Sequence, residues 1–358
     1  MPPASLSSRG LNRGKARIAV LITQLLLPSG FLQAAGPGTS AAPFLNLGFG
    51  ARVSALGEAV VAIADDASTV YYNPAGLAFG PAEGPRPTEM HLSHSLHLQD
   101  IRVTQLGLMR RPYAVHLTHV GVAGIERRSS ETVQPEGSFG ASDVALSLAH
   151  GRRVGPVAAG AALRLIRQTI GERSASAYAV DLSVLRRFES MPVSVGAGIM
   201  NLGSSVRFIE QAYPLPTTIR AGVTYGLTRS FPHALSAQLD LPRDGAPVIR
   251  LSLEYLGFGP FALRAGYRTQ GGPQRDAALG RQLGSTASGL SEFYGMFMGA
   301  GFRSKLGALD YSIVPFGELG TAHRFSIGLK FGGPKATLYG AKGIPLAQPP
   351  ALAGAGGR

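Results

Sequence analysis

Three histidines, His91, His94 and His97, lie close enough in the sequence to suggest a metal site. The residues around them alternate between apolar and polar types, as in a β-strand, where successive side chains point to opposite faces. His94 would therefore point away from the other two. His91 and His97 would be about 20 Å apart at ~3.3 Å per residue. The spacing predicts no metal site, and we expect no cofactor.

A serine hydrolase is the second chemistry to weigh, because Ser93 and Ser95 lie beside these histidines. Hydrolysis needs a nucleophile, a base and a third group that orients the base. No spacing in the chain singles out such a set. The sequence also lacks cysteine, which excludes disulfides, thiolate metal sites and cysteine nucleophiles. We therefore expect a protein that is not an enzyme.

Two adjacent carboxylates, Asp65 and Asp66, are the remaining candidates for chemistry. They could simply end a helix at a turn. Alternatively, they could pair with arginines inside a closed lumen, where an unpaired charge costs several kcal/mol. The charged residues that we expect to face such a lumen are Arg164, Asp181, Arg220, Arg250, Glu254, Arg264, Arg268 and Arg324.

The elements that would position these residues are short alternating segments from about Thr88 to Phe331. We count fourteen of about ten residues each, the length that a tilted strand needs to cross a bilayer. The long connections, Gly121 to Ser138, Asn201 to Pro216 and Gln270 to Ser291, all follow odd-numbered strands. A soluble sandwich would share the alternation. The alternating loop lengths favour an all-β transmembrane barrel of about 14 antiparallel strands, with long loops outside the cell.

The stretch from Gly50 to Leu77 lacks this alternation and is expected to form a short helical plug inside the barrel. Asn73 and Pro74 suit an N-cap and the first position of a helical turn. With an even strand count, both ends of the barrel chain lie on the periplasmic side. We expect the stretch to begin there too.

The N-terminus is typical of a secretory signal. Four basic residues, up to Arg17, precede about ten apolar residues, and cleavage is expected near Ala34/Ala35. The predicted location is the cell outer membrane of a Gram-negative type. The expected division is a signal peptide at 1–35, a plug and linker at 36–87, the barrel at 88–331 and a flexible tail at 332–358.

The formal net charge is +13, and about +9 without the four basic residues of the signal. A basic protein suits anionic partners, but a secretory signal argues against nucleic acid. Much of the charge lies in the short turns, where it could bind phospholipid headgroups or simply be solvated. We expect outer-membrane lipid as a partner and a monomeric barrel. These turn residues are Arg110, Arg111, Arg152, Arg153, Arg186, Arg187, Arg229, Arg303 and Lys305.

Several motifs resemble the PorV/PorQ family of outer-membrane proteins, which is similar to FadL-type transporters. The plug motif residues are Gly50, Arg52, Gly57, Asp65, Asp66, Asn73, Pro74 and Gly76, and the last three belong to an Asn-Pro-Ala-Gly-Leu run. The resemblance continues through Asn201-Leu202-Gly203 and Arg264-Ala265-Gly266-Tyr267 and covers about Phe44 to Phe331. It implies a fourteen-stranded barrel with an N-terminal plug.

The resemblance also implies two kinds of role. PorV-like members handle exported proteins at the cell surface in type IX secretion, whereas FadL-like relatives transport hydrophobic small molecules. The expected inward faces are charged or small, which favours the secretion role, with exported cargo or secretion machinery as partners. The candidate partner loop contains Val206, Phe208, Ile209 and Tyr213. A purely structural barrel is a third hypothesis.

Overall fold

The structure is a computed structural model that describes residues 39–80, 86–96, 101–131, 133–226, 232–269, 293–304, 306–316 and 320–332. The predicted signal peptide and nearly all of the predicted tail lie outside these ranges. His97, Arg229 and Lys305 lie outside them as well. Within the described ranges, no helix has both the length and the apolar character needed to cross a bilayer.

Fourteen antiparallel strands close into a barrel, which confirms the predicted fold class. The strands follow each other around the ring in chain order, and the first pairs with the last, with Thr88 opposite Phe331. Two further strands, β8 and β9, form a separate hairpin between β7 and β10. The strands are β1 (Thr88–Leu96), β2 (Arg102–Arg110), β3 (Tyr113–Arg127), β4 (Gly137–Val154), β5 (Val157–Ile170), β6 (Arg173–Arg187), β7 (Val193–Gly203), β8 (Val206–Arg207), β9 (Ala212–Tyr213), β10 (Thr218–Gly226), β11 (His233–Pro242), β12 (Val248–Phe258), β13 (Phe261–Arg268), β14 (Met296–Arg303), β15 (Gly307–Pro315) and β16 (Thr321–Phe331).

The side chains of the wall are arranged apolar outside and polar inside. On β5, Leu163 and Leu165 are 44% and 50% exposed, whereas Arg164 between them is 2% exposed. A soluble sandwich would bury the leucines and expose the arginine. An outer surface of this kind suits lipid rather than water, as in transmembrane barrels.

The two ends of the barrel differ in their connections. At one end, called here the short-turn end, β2 joins β3 and β4 joins β5 through two residues each. At the other, called the long-loop end, the connections after β3, β7 and β13 are much longer. In outer-membrane barrels the short turns lie on the periplasmic side.

Residues 39–80 form a plug inside the barrel, built from short helical pieces. These are a 3₁₀ turn at Pro43–Asn46, helix α1 (Ala51–Ala55), helix α2 (Thr69–Tyr72) and a second 3₁₀ turn at Pro74–Ala78. Helix α1 is bounded by Gly50 and Gly57, whose φ angles of 85° and 57° favour glycine. As the sequence indicates, Asn73 caps the second 3₁₀ turn, where its side chain accepts a hydrogen bond from the Ala75 backbone N–H.

The chain that leads into the plug is held at the long-loop end, whereas the predicted stretch itself begins inside the lumen, where Gly50 lies beside the His91 ring. The Ala41 backbone N–H donates to the Pro214 carbonyl at the long-loop end, at 2.8 Å. At the other end of the plug, the Gly76 carbonyl accepts a hydrogen bond from Arg111 in a short turn. The middle of the plug is tied to the short-turn end as well, because Arg111 also donates to the Asp65 carbonyl and Arg187 donates to the carbonyls of Ile63 and Ala64.

Candidate functional site: the plug, the wall and an apolar cluster

Arg52 on helix α1 connects the two predicted plug carboxylates to the wall. Its Nη1 donates to Asp65 and to Asp66, each at 2.7 Å. Its Nε and Nη2 donate to the two carboxylate oxygens of Glu254 on β12, at 2.9 and 2.8 Å. The direct partner of Asp65 and Asp66 is therefore an arginine of the plug, not one of the wall arginines that the second of our two interpretations proposed.

The charges around Arg52 stabilise each other in a buried place. Burial by itself would raise the pKa of Asp66, but Arg52 and a hydrogen bond from Ser68 lower that pKa well below its usual range. Burial likewise disfavours charged Arg52, but Asp65, Glu254 and Asp66 together hold its pKa well above the usual value. Arg52 and Asp66 are therefore both charged at neutral pH. Asp66 also accepts a hydrogen bond from the Ser68 backbone N–H, so the predicted turn is present as well.

Glu254 extends this ionic network around the wall. The fully buried carboxylate also accepts hydrogen bonds from Arg264 Nε at 2.8 Å and from Arg303 Nη2 at 3.1 Å. Arg264 in turn donates through Nη1 to Asp310 at 2.7 Å. One plug residue is thereby connected to β12, β13, β14 and β15.

Other wall arginines bind the plug backbone directly. Arg250 donates to the Gly57 carbonyl at 2.9 Å and pairs with Glu58 and Asp240. Arg324 donates to the Gly48 carbonyl at 2.7 Å and to the Ser54 hydroxyl at 2.8 Å. These hydrogen bonds satisfy carbonyls of the plug backbone inside the lumen, where an unpaired polar group is costly.

All eight charges that we expected in the lumen lie on inward faces. Seven are buried, and Arg268 is half-buried over the Phe297 ring. Arg164 pairs with Asp181 at 2.7 Å, and Arg220 lies 3.8 Å from Asp240. The sequence predicts this placement, because successive side chains of a strand point to opposite faces.

At least three of the basic turn residues point into the lumen, which corrects our interpretation that these turns only meet lipid or water. Arg303 binds Glu254, as described above, and Arg111 and Arg187 bind the plug backbone. Arg111 donates to the carbonyls of Gly76 and Asp65, at 2.5 and 2.6 Å. Arg187 donates to the carbonyls of Ile63 and Ala64, at 3.1 and 3.2 Å. Neighbouring side chains of a strand alternate between faces. One member of a pair such as Arg186-Arg187 must therefore point into the lumen.

Glycines of the wall allow the plug backbone to approach closely. An added Cβ would lie 2.1 Å from the Ala75 nitrogen at Gly160, 2.3 Å from the Val61 oxygen at Gly196 and 2.2 Å from the Gly57 nitrogen at Gly266. Within the plug, a Cβ at Gly76 would lie 2.4 Å from the Ala64 oxygen. The plug therefore rests against the wall at backbone distance.

Asn73, a residue of the predicted plug motif, connects two parts of the plug with each other and with the wall. Its fully buried side-chain amide donates to the Val61 carbonyl at 2.5 Å and to the Val184 carbonyl at 3.3 Å. Pro74 follows as the first residue of the 3₁₀ turn. These contacts give the Asn-Pro-Ala-Gly motif a structural role.

An apolar cluster in the lumen at the long-loop end is the feature that the sequence analysis missed. We call it the upper apolar cluster. The wall contributes inward-facing aliphatic residues, the plug contributes its first turn, and the connection between β7 and β10 covers it. Its buried members are Ala42, Phe44, Leu45, Val103, Val120, Ala145, Ile166, Ala175, Ala177, Ala179, Val206 and Leu215. The inward positions of β2 to β6 carry the signal, but we expected only charged or small residues there.

Only part of the candidate partner loop belongs to the upper apolar cluster. Val206 is buried in it, and Phe208 packs against it. Ile209 and Tyr213 are 65% and 44% exposed. Only the last two are available to another molecule.

His91 on β1 and His116 on β3 have packing roles in this structure, whereas His94 is exposed and shares a hydrogen bond with Thr104. The Phe49 ring lies 4.9 Å from the His91 ring and 4.3 Å from the His116 ring, between centroids. Among the residues that the structure describes, no group of three or more His, Asp or Glu side chains could hold a metal ion.

Comparisons with known proteins identify the fold. No family model matches the chain, and no curated protein matches it. The structure of the TodX deltaS2S3 mutant, a monoaromatic hydrocarbon channel, has a TM-score of 0.52 at 12% identity over 80% of this chain and 99% of that chain. The structure of the toluene transporter TbuX of Ralstonia pickettii has a TM-score of 0.50 at 12% identity, over 81% of this chain and 99% of that chain. The chain is thus a fourteen-stranded transmembrane β-barrel with the fold of these channels, whereas membership of the PorV/PorQ family stays a prediction.

Proposed function

We propose that this protein transports small hydrophobic molecules across the outer membrane and binds them first in the upper apolar cluster. The observation that carries this proposal is the upper apolar cluster itself, an apolar region at the long-loop end of the lumen. Small-molecule sites are concave and mostly apolar. Burial of an apolar ligand there is favourable by roughly 25 cal/mol per Å² of surface removed from water.

The cluster is filled by the protein's own first turn. Phe44 and Leu45 are 4% and 2% exposed, and both belong to the 3₁₀ turn Pro43–Asn46. A ligand can enter when this turn moves aside. The place left by the Phe44 side chain has the size of one aromatic ring, so the substrate class that fits best is an uncharged molecule of about that size.

The structural comparisons support transport over the secretion role that the sequence favoured. TodX and TbuX are described as a monoaromatic hydrocarbon channel and a toluene transporter. Their likeness to this chain is one of fold, at 12% identity, so the substrate class rests on the upper apolar cluster itself.

Toluene binding tests the proposal. Purified barrel in detergent is equilibrated with radiolabelled toluene, and retained label is compared with protein-free detergent. We expect saturable binding that Ala177→Leu weakens at least fivefold, because the new side chain fills the cluster. Phe44→Ala should strengthen binding, since it empties the site.

Ala237→Leu is the matched control, because Ala237 is an exposed wall alanine on β11, away from the cluster. It should leave binding unchanged. Label that does not saturate, or equal binding by the Ala177 and Ala237 variants, contradicts the proposal.

A role in protein secretion is the second candidate, and one observation favours it. Ile209 in the β8–β9 connection and Tyr213 on β9 are exposed side chains with large apolar surfaces, and this hairpin lies at the long-loop end. Such residues suit a protein partner. The test is recovery of bound partners by a variant with Ile209→Ser and Tyr213→Ser. Recovery equal to that of the unchanged protein rejects this candidate and leaves the toluene result untouched.

A further inference from the structure

The lipid-facing surface of the barrel carries a groove that crosses β3 to β6. Its volume is about 350 Å³, and its lining includes Tyr113, Leu148, His150, Ala161, Leu163 and Val180. The groove exists because Ala161 stands in register with His150 on β4 and Leu182 on β6. A small side chain between larger ones leaves a depression in the wall.

The line of small outward side chains continues from the groove towards the short-turn end. The next outward residue of β5 is Ala159, which is in register with Arg152 on β4 and Val184 on β6. Two alanines in line make a trough that runs along the strand. An extended hydrocarbon chain fits a trough of this shape better than a flat or branched group does.

The short-turn end of the groove is aromatic and basic. The Tyr113 and His150 rings lie 5.0 Å apart between centroids, and both side chains are exposed. Arg152 is exposed two residues beyond His150, and Arg186 is exposed two residues beyond Val184. Tyrosine is typical of the membrane–water interface, and arginine binds phosphate through a planar pair of donors.

The charge balance around the groove is strongly positive. In the three turns that border it, at 111–112, 155–156 and 188–192, the one carboxylate is Glu189. Arg110, Arg152 and Arg186 all lie on the outer surface beside these turns. An anionic headgroup would therefore be attracted to this edge.

We propose that the groove binds one anionic glycerophospholipid of the leaflet at the short-turn end. One acyl chain lies along Ala159 and Ala161, and the phosphate lies beside Arg152. A second copy of the chain is disfavoured here, because two-fold symmetry would bring the same arginines of both copies together.

Native mass spectrometry of the purified barrel tests this assignment. Dioleoylphosphatidylglycerol and dioleoylphosphatidylcholine have the same chains and differ in net charge. We expect one phosphatidylglycerol retained per barrel, at least fivefold in preference to phosphatidylcholine. Arg152→Gln should remove most of that preference, and Ala161→Leu should reduce retention of both lipids.

Two controls keep the test specific. Arg167→Gln removes an exposed arginine of β5 on the opposite half of the strand, and Ala237→Leu enlarges an outward alanine away from the groove. Both should bind lipid as the unchanged protein does. Heat-modifiable migration on gels checks that each barrel is folded, and Ala161→Val replaces Ala161→Leu if the latter does not fold.

Three outcomes overturn the proposal. The first is equal retention of the two lipids by the unchanged protein. The second is a loss with Arg167→Gln as large as the loss with Arg152→Gln, which would indicate general charge attraction. The third is a dimer that Ala161→Leu dissociates, which would make the groove a contact between two copies.

Discussion

Arg52 of the plug and Glu254 of the wall share two parallel hydrogen bonds, of 2.9 and 2.8 Å, at a buried point inside the barrel. Removal of Arg52 also takes from Asp65 and Asp66 the arginine that they share, and loss of one partner of a buried ion pair costs about 3–5 kcal/mol. We expect Arg52→Met to release the plug at least a hundredfold more often, since each ~1.4 kcal/mol is tenfold. Single-channel recordings in planar bilayers would detect the openings.

The control for this prediction is the exposed pair of Arg128 and Glu126. Exposed pairs contribute about 0–1 kcal/mol. Arg128→Gln should therefore leave the recordings unchanged. Recordings of the Arg52 variant that show no channel openings would contradict the view that the Arg52–Glu254 pair retains the plug.

The contact of Gly266 with Gly57 gives a second prediction. A Cβ at Gly266 would lie 2.2 Å from the Gly57 nitrogen, so Gly266→Ala must push the plug backbone away from the wall. Overpacking of this kind costs about 1–3 kcal/mol. The expected result is a lower thermal midpoint, measured by circular dichroism in detergent. At Gly328 a Cβ meets nothing within 4 Å, and Gly328→Ala should leave the midpoint unchanged.

Adjacent arginines at the end of β6 give a third prediction. Arg187 donates to the Ile63 and Ala64 carbonyls of the plug, whereas Arg186 lies outside over the Phe188 ring. Hydrogen bonds from a charged group contribute about 1.5–3 kcal/mol. Arg187→Gln should therefore increase protease cleavage of the plug in the intact barrel. Arg186→Gln should not, and equal cleavage of both variants would refute the assignment.

The plug should also respond to acid through Asp66. Its pKa is lowered in the folded protein, largely by Arg52 against the opposing effect of burial. A lowered folded pKa stabilises the fold at pH values above the unfolded pKa of about 4, and this contribution is lost as the pH falls further. Asp66→Asn should lower the thermal midpoint at pH 7. The difference in thermal midpoint between the unchanged protein and this variant should become smaller below about pH 4. A difference that stays constant from pH 7 to pH 3 would contradict a role of ionised Asp66 in stability.

The wall was predictable because its determinants are local. A strand exposes alternate residues to opposite faces, so the sequence indicates that Arg164 points inward and Leu163 outward. Loop lengths likewise distinguished the two ends. The Asn73-Pro74 cap depends on neighbouring residues, and it was predicted for the same reason.

The contents of the lumen were less predictable because they depend on contacts between distant residues. The alternation of side chains along β12 predicts that Glu254 points into the lumen. It does not predict that Arg52 of the plug, rather than an arginine of the wall, pairs with Asp65. Phe44 precedes the motif, and nothing local indicates that its ring lies among residues of β2 to β6. The inward turn of Arg111 follows from its register in the barrel, which sequence alone does not fix.

The separation of plug partners along the chain constrains how the protein folds. Arg52 and Glu254 are 202 positions apart, and Ala51 and Ser326, which also share a hydrogen bond, are 275 apart. Contacts between residues so far apart in the sequence form late in folding, since they require closure of very long loops. The plug can reach its final place only when the last strands have joined β1. Ring closure and plug docking therefore belong to the same final step of folding, and we expect one cooperative transition rather than two.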